Sequence, residues 1–256
     1  MSFEVAATSY DRFMGRFAGP LAAQFVDHIG ARSGQQALDV GCGPGALTAA
    51  LVARLGARAV AAIDPSESFV AAIRERLPEV DVQCGGAENL PFPDGRFDLA
   101  AAQLVVHFMT DPAAGIAEMA RVTRAGGVVA ACVWDQSPDG GGPLGPFWEA
   151  AHDVDPDATD ESGRAGTQEG QLVTLFEEAG LRDIEPGRLT VRVGIDSFLQ
   201  WWEPFTLGVG PAGRYVESLD EQRRIKLRDR CAELLPDGAF VVEASAWTAV
   251  GRVSRL

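Results

Sequence analysis

The chain has 256 residues, 46% of them hydrophobic, which is enough apolar material for a sizeable core in one large domain or two small ones. Its 36 acidic residues against 22 basic ones leave a formal net charge of −14, and this disfavours nucleic acid as a partner, because phosphate binding needs clustered Lys and Arg. The one concentrated basic run, RRIKLRDR at 223–230, has acidic neighbours and reads as the solvated face of a helix.

The first clear element is the apolar run at Ala37–Val40, bounded by turn residues and read as a buried strand. GCGPG follows, with glycines at 41, 43 and 45, and then a helical pattern over Ala46–Leu55 with Leu47, Leu51, Val52 and Leu55 at helical spacing. In a strand, glycine loop and helix unit, loop amides and the positive end of the helix dipole face a crevice where polar or anionic groups bind well. A tight turn without a ligand is the plainer explanation of the glycines. The pattern then repeats. A strand is predicted over 58–64, a helix over 66–77 opened by a capping serine, a short strand at VDVQCGG, and another at FDLAAAQLVV from Phe97. A helix over 112–123 and a strand at AGGVVAACVW close this half, and alternating strands and helices call for a parallel, doubly wound sheet. Beyond Trp134 the alternation stops at a loop rich in Gly and Pro and an acidic stretch around a short helix near 147–152. A helix over 168–179, a strand over 189–195, helical material over 197–235 and a final strand in AFVVEASAWTAVGRV complete the reading.

Taken in order, LDVGCGPG, IDPS, GGAENLPFPDGRFD and RVTRAGG resemble the class I S-adenosylmethionine-dependent methyltransferases, in particular the broad small-molecule group called type 11. YDRFMGRF is also similar to the amino-terminal segment of some members. The resemblance implies an α/β fold: a doubly wound, mostly parallel seven-stranded Rossmann-like sheet with an antiparallel last strand. A helical cover, inserted at approximately 136–167 and 197–235 of a single domain over 1–256, would lie over the carboxyl ends of the strands. It also implies S-adenosylmethionine as cofactor. The methionine end would lie over Gly41, Gly43 and Gly45, with Asp39 taking its ammonium group; the alternative for Asp39 is a carboxylate capping loop amides. Asp64 would accept both ribose hydroxyls, or else form an Asp-Pro turn, and Pro65 and Ser66 would lie along the adenine and ribose. Where the family usually has an acidic residue, Gly86 stands here, followed by Ala87 and Glu88. The Ala87 amide would meet an adenine nitrogen, Glu88 would bind the ligand or serve a helix start, and Gly86→Asp is expected to tighten binding. The Gln103 carbonyl would lie near the methionine amino group. His107 would act as a base toward the acceptor or pack beneath the cover. Tyr10 and Arg16 would close the amino-terminal segment over the cofactor, Arg16 by meeting its carboxylate, or would anchor a surface helix.

The implied activity is methyl transfer to a small, largely apolar molecule, with no nucleic acid or membrane partner. Two alternatives stand beside it: a nicotinamide-dependent oxidoreductase, since GCGPGA also satisfies the dinucleotide pattern, and an S-adenosylmethionine-binding protein without catalysis. Trp148, Trp201, Trp202, Phe205 and Tyr215 form either an aromatic acceptor pocket or the core of the cover. The segments 136–167 and 197–235 are expected to act as a mobile lid. Cys42, Cys84, Cys132 and Cys231 lie far apart, without a CxxC pair or a His at ligand spacing, so no metal site is expected. With no basic-then-apolar leader and no long uncharged apolar run, a cytoplasmic protein with reduced thiols is expected.

Overall fold

A computed structural model describes residues 7–137 and 140–254; Pro138 and Asp139, within the expected first cover segment, and residues 1–6 and 255–256 lie outside the described residues. Seven strands form one sheet: β1 (Ala37–Val40), β2 (Val60–Asp64), β3 (Asp81–Cys84), β4 (Phe97–Gln103), β5 (Thr123–Trp134), β6 (Arg182–Ile195) and β7 (Phe240–Arg252), in the spatial order β3-β2-β1-β4-β5-β7-β6. β1 pairs in parallel with β2 on one side and with β4 on the other, so the strand order reverses between them. That reversal opens a crevice at the strands' carboxyl ends, the place where open α/β sheets bind ligands. β1 and β2 are buried along their whole length because helices cover both faces, which is why they read as apolar runs rather than alternating ones. β7 runs antiparallel to both neighbours, as expected of the last strand.

Ten α-helices are described: α1 (Ala7–Tyr10), α2 (Arg16–His28), α3 (Ala46–Leu55), α4 (Glu67–Arg76), α5 (Pro112–Val122), α6 (Gly145–Val154), α7 (Gln171–Glu178), α8 (Phe198–Trp202), α9 (Gly210–Ser218) and α10 (Glu221–Leu234). A π-helical turn, Asp11–Gly15, joins α1 to α2. α5 starts where Asp111 accepts the Ala114 N–H at 3.0 Å and Pro112 takes the first helical position, which needs no donor.

Three expectations are corrected. Ser66 occupies the residue before α4, but its hydroxyl does not cap the helix and lies 2.9 Å from Ser68 Oγ. The run from Phe97 leaves the sheet after Gln103, because Leu104 adopts a left-handed backbone with φ of 60°. β6 begins at Arg182, well before residue 189; it is the sheet's edge, exposed along much of its length, and its Pro186 and Gly187 hide a strand pattern.

Trp148, Trp201, Trp202, Phe205 and Tyr215 pack with one another and with Phe147 rather than line a pocket. Phe147 of α6 stacks on Phe205 at 4.4 Å, Trp201 lies 4.7 Å from Phe205, and all three are fully buried. The basic run lies on α10, where Arg230 is paired with Asp153 and Glu233. Because Phe147 anchors this cluster, Phe147→Ala is expected to destabilise the protein by about 3–5 kcal/mol. Truncation of the exposed Leu199 on α8 should change stability by no more than about 0.5 kcal/mol. Urea midpoints of the two variants test the difference, and equal midpoints would mean that the cover is not part of the cooperative core.

Candidate functional site

The crevice between β1 and β4 contains a cavity of about 380 Å³, a size typical of small-ligand pockets. The loops after β1, β2, β3 and β4 build its walls, and Tyr10 of α1 closes one side. Of the residues expected to bind, Tyr10, Asp39, Gly41, Gly43, Asp64, Pro65, Ser66, Ala87, Glu88 and Gln103 line it. Gly86 does so as well.

Asp39 and Asp64 end adjacent parallel strands and are both buried. Asp39 Oδ2 accepts the Thr48 hydroxyl at 2.6 Å, whereas Asp39 Oδ1 is buried without a hydrogen-bond partner. Burial pushes the Asp39 carboxyl up to about 7, against the opposing effect of Thr48. Asp64 accepts the Ser66 N–H on Oδ1 and the Gly43 N–H on Oδ2, each at 2.8 Å. Burial raises its carboxyl too, and the two amides pull it back. An ionised carboxylate has about four lone-pair sites, so Asp64 shapes its own turn and keeps capacity for two further donors. Gln103 donates its amide to the Ala18 carbonyl at 3.0 Å, and its Oε1 is likewise buried and unpartnered.

The three glycines serve three purposes. A Cβ at Gly41 would overlap the Val105 side chain, so the protein's own packing already requires a glycine there. At Gly43 no heavy atom would lie within 4 Å of an added Cβ, which leaves open space beside the loop. Gly45 does not line the cavity; with φ of 99° it starts α3, and a Cβ there would meet Ile73 at 3.0 Å. Arg16 is also corrected. It turns away from the cavity and donates to the carbonyls of Gln200 and Trp201, so it fastens α2 to the cover. Burial lowers its guanidinium to about 10. At the missing acidic position, a Cβ on Gly86 would come 3.0 Å from Glu88 Oε2, so the Glu88 side chain already fills that space. Glu88 Oε1 accepts the Thr110 N–H at 2.8 Å, just before α5, so this carboxylate braces a loop and lines the cavity together.

His107 lies elsewhere. It lines a second cavity of about 40 Å³, which shares Tyr10, Leu104 and Phe108 with the first. Burial and the charge of Arg164 hold its imidazole down at about 3, so it is neutral. Opposite it stands Glu161, which no pattern in the acidic stretch marks out. None of Trp148, Trp201, Trp202, Phe205 and Tyr215 lines either cavity. Among the described residues no group of three or more His, Cys, Asp or Glu is placed to hold a metal ion, and no helix is long and apolar enough to cross a membrane.

The Asp39 carboxyl sets a pH dependence. Between its ordinary value of 3.8 and about 7, the folded chain holds a proton that the unfolded chain has released, so stability falls as pH rises. Relative to Asp39→Asn, the unliganded protein should lose up to about 1.4 kcal/mol per pH unit across that window. Parallel urea titrations of the two proteins from about pH 4.5 to about pH 7 measure it, and parallel stability curves would refute a buried, protonated Asp39.

A family model described as a methyltransferase domain matches residues 38–131, which contain β1 to most of β5 and both buried carboxylates. A Mycolicibacterium smegmatis protein named as a "probable S-adenosylmethionine-dependent methyltransferase" is 32% identical over 156 residues, 60% of each chain. The chain spans between 39% and 60% of the length of the curated relatives it matches first. In fold, it is similar to a candidate methyltransferase of Bacillus halodurans, with a TM-score of 0.60 and 18% identity over 91% of this chain and 99% of that one. It is similar as well to phosphoethanolamine N-methyltransferase 2 of Haemonchus contortus, solved with phosphomonomethylethanolamine and S-adenosylhomocysteine, with a TM-score of 0.60 and 16% identity over 98% of this chain and 57% of that one. The region matched by the methyltransferase model includes the glycine loop that left a nicotinamide site open. Residues 38–131 of this chain thus match a methyltransferase domain, set in a sheet whose fold is similar to that of solved methyltransferases.

Proposed function

We propose that this chain binds S-adenosylmethionine in the larger cavity and transfers its methyl group to a small, largely apolar molecule held in and around the smaller one. The observation that carries the reading is the pair of buried acceptor atoms, Asp39 Oδ1 and Gln103 Oε1, left without partners where an ammonium group would supply the missing donors. The rest of the wall fits the same ligand. Asp64 has lone pairs for two hydroxyls, the space beside Gly43 admits a chain against the backbone, and Ala87 and Glu88 offer an amide and a carboxylate to an adenine edge. With Arg16 turned away, the donors for the cofactor's carboxylate would be the first-turn amides of α3 at Ala46 and Leu47, which line the cavity.

When bound, the cofactor supplies a methyl group already activated by its sulfonium sulfur. The chain's own part is then chiefly alignment and the exclusion of water. Leu104 and Phe108 line both cavities, with Tyr10 across from them, so three side chains stand where donor and acceptor would meet. The acceptor class is read from the smaller cavity, whose wall is mostly apolar, and from the acidity of the chain, which gives a polyanion no basic track to follow. The two cover segments are proposed to close over this acceptor.

Calorimetry with S-adenosylmethionine and S-adenosylhomocysteine tests the reading, and no heat with either on folded protein would overturn it. Asp64→Asn should weaken binding by about 1.5–3 kcal/mol, the scale of hydrogen bonds to a charged group. Binding should also tighten as pH rises toward about 7, because Asp39 must release its proton to meet a cation. Gly86→Asp, expected from the family pattern to tighten binding, should weaken it instead, since the new carboxylate would press on Glu88; tighter binding would show that Glu88 yields the space.

A further inference from the structure

The smaller cavity sets His107, Glu161 and the phenol of Tyr10 into a wall whose other side chains, Phe13, Met14, Trp134 and Leu144 among them, are apolar. His107 and Glu161 are both almost fully enclosed, with His107 Nε2 3.9 Å from Glu161 Oε1, and His107 Nδ1 is buried with no hydrogen-bond partner. A carboxyl group is costly in such surroundings unless neighbours compensate it, and here Arg164 and Arg214 supply positive charge. Glu161 is not there by slack in a loop. Ser162 donates its amide and hydroxyl to Asp160 Oδ1 at 2.9 and 2.6 Å, and the Thr167 hydroxyl donates to the carbonyls of Ser162 and Arg164 at 3.0 and 2.7 Å, which fixes the turn that carries it. On the other side, Arg164 donates to the His107 carbonyl at 3.3 Å, tying the same turn to the loop after β4.

Resting on the methyl-transfer reading, we propose that Glu161 and His107 recognise a neutral hydroxyl group on an apolar body, and that Glu161 takes the hydroxyl proton as the methyl group arrives. In balance, the donor's carbon–sulfur bond breaks with its electron pair going to sulfur, the acceptor oxygen forms the new carbon–oxygen bond, and the O–H proton passes to the Glu161 carboxylate. The charges around the pair select this class. Arg164 and Arg214 already place positive charge on Glu161, with Asp160 opposing them, so a protonated amine would add a third cation to a buried site. A ketone has no proton to give Glu161, and a hydrocarbon in addition leaves His107 Nδ1 without a partner. Burial brings the Glu161 carboxyl up to about 7, close to the pH at which a general base works best, while the neutral His107 is the weaker proton acceptor and serves to position the hydroxyl.

Phenol and toluene have nearly the same shape and differ in the hydroxyl, so their affinities, measured by calorimetry with and without S-adenosylhomocysteine, test the proposal directly. Wild-type protein is expected to prefer phenol by about tenfold or more, the effect of a hydrogen bond to a charged group. Glu161→Leu should abolish or reverse that preference while leaving S-adenosylhomocysteine affinity unchanged. Should that variant fail to fold, the isosteric Glu161→Gln is expected to cut the preference at least about threefold. Equal binding of the two probes, no binding of either, or a full preference retained in a folded Glu161 variant would overturn the proposal. Absence of S-adenosylhomocysteine binding would instead overturn the cofactor reading and with it the proton transfer, and the preference measured on the unloaded protein would still decide whether Glu161 and His107 recognise a hydroxyl.

Discussion

Two carboxylates buried at the carboxyl ends of adjacent parallel strands are the constraint around which the rest of this molecule is arranged. β1 delivers Asp39 and β2 delivers Asp64, and the parallel register between them holds both acids at the rim of one crevice. Taking a carboxyl group out of water is costly unless neighbours or a ligand compensate. Asp64 has found two backbone amides, and Asp39 has found one hydroxyl on one of its two oxygens. The imbalance is informative: Asp64 organises the glycine loop as well as facing the cavity, whereas Asp39 is left with an acceptor that the protein does not satisfy. A fold stabilised by the large apolar core around these strands tolerates that deficit at a site that something else completes.

The cover has a similar division of labour. Its aromatic side chains fill the space between α6, α8 and α9 and line neither cavity, while the cover side chains that do line one come from less conspicuous places: Leu144 ahead of α6, Glu161 from an acidic turn and Pro211 from α9. Packing and the lining of the cavity are thus carried by different residues of the same segments. Core residues are chosen for volume, and wall residues for where a chain happens to pass.

How much of this was legible in the sequence follows from how local each signal is. The strand, glycine loop and helix unit, Asp64 after an apolar run and the alternation up to Trp134 are local patterns with a fixed period, and their elements form in that order, although Ser66 does not cap α4 and β4 stops at Gln103. Gly41 and Gly45 were legible as glycines but not as to cause, because Val105 and Ile73, which crowd them, are distant in sequence. Arg16 fits the family pattern equally well facing the cavity or the cover, and only the tertiary position of α8 decides between them. Glu161 carries no signal at all in a run of acidic and small residues, because what singles it out is burial opposite His107. β6 was half visible, since an edge strand exposed along much of its length needs no apolar alternation.

The contact between Val105 and Gly41 has a consequence for how this site is able to change over generations. The two residues belong to different loops, one after β4 and one after β1, and the branched side chain of the first rests on the bare α-carbon of the second. A smaller side chain at position 105 would loosen the contact without a clash, at the cost of some packing on the core and of part of the cavity wall. Position 41 is not free to grow until 105 has shrunk, and its φ of 67° still penalises most replacements after that. Drift through this pair therefore has a compulsory order, and lineages that keep a bulky residue at 105 inherit an unchangeable glycine at 41.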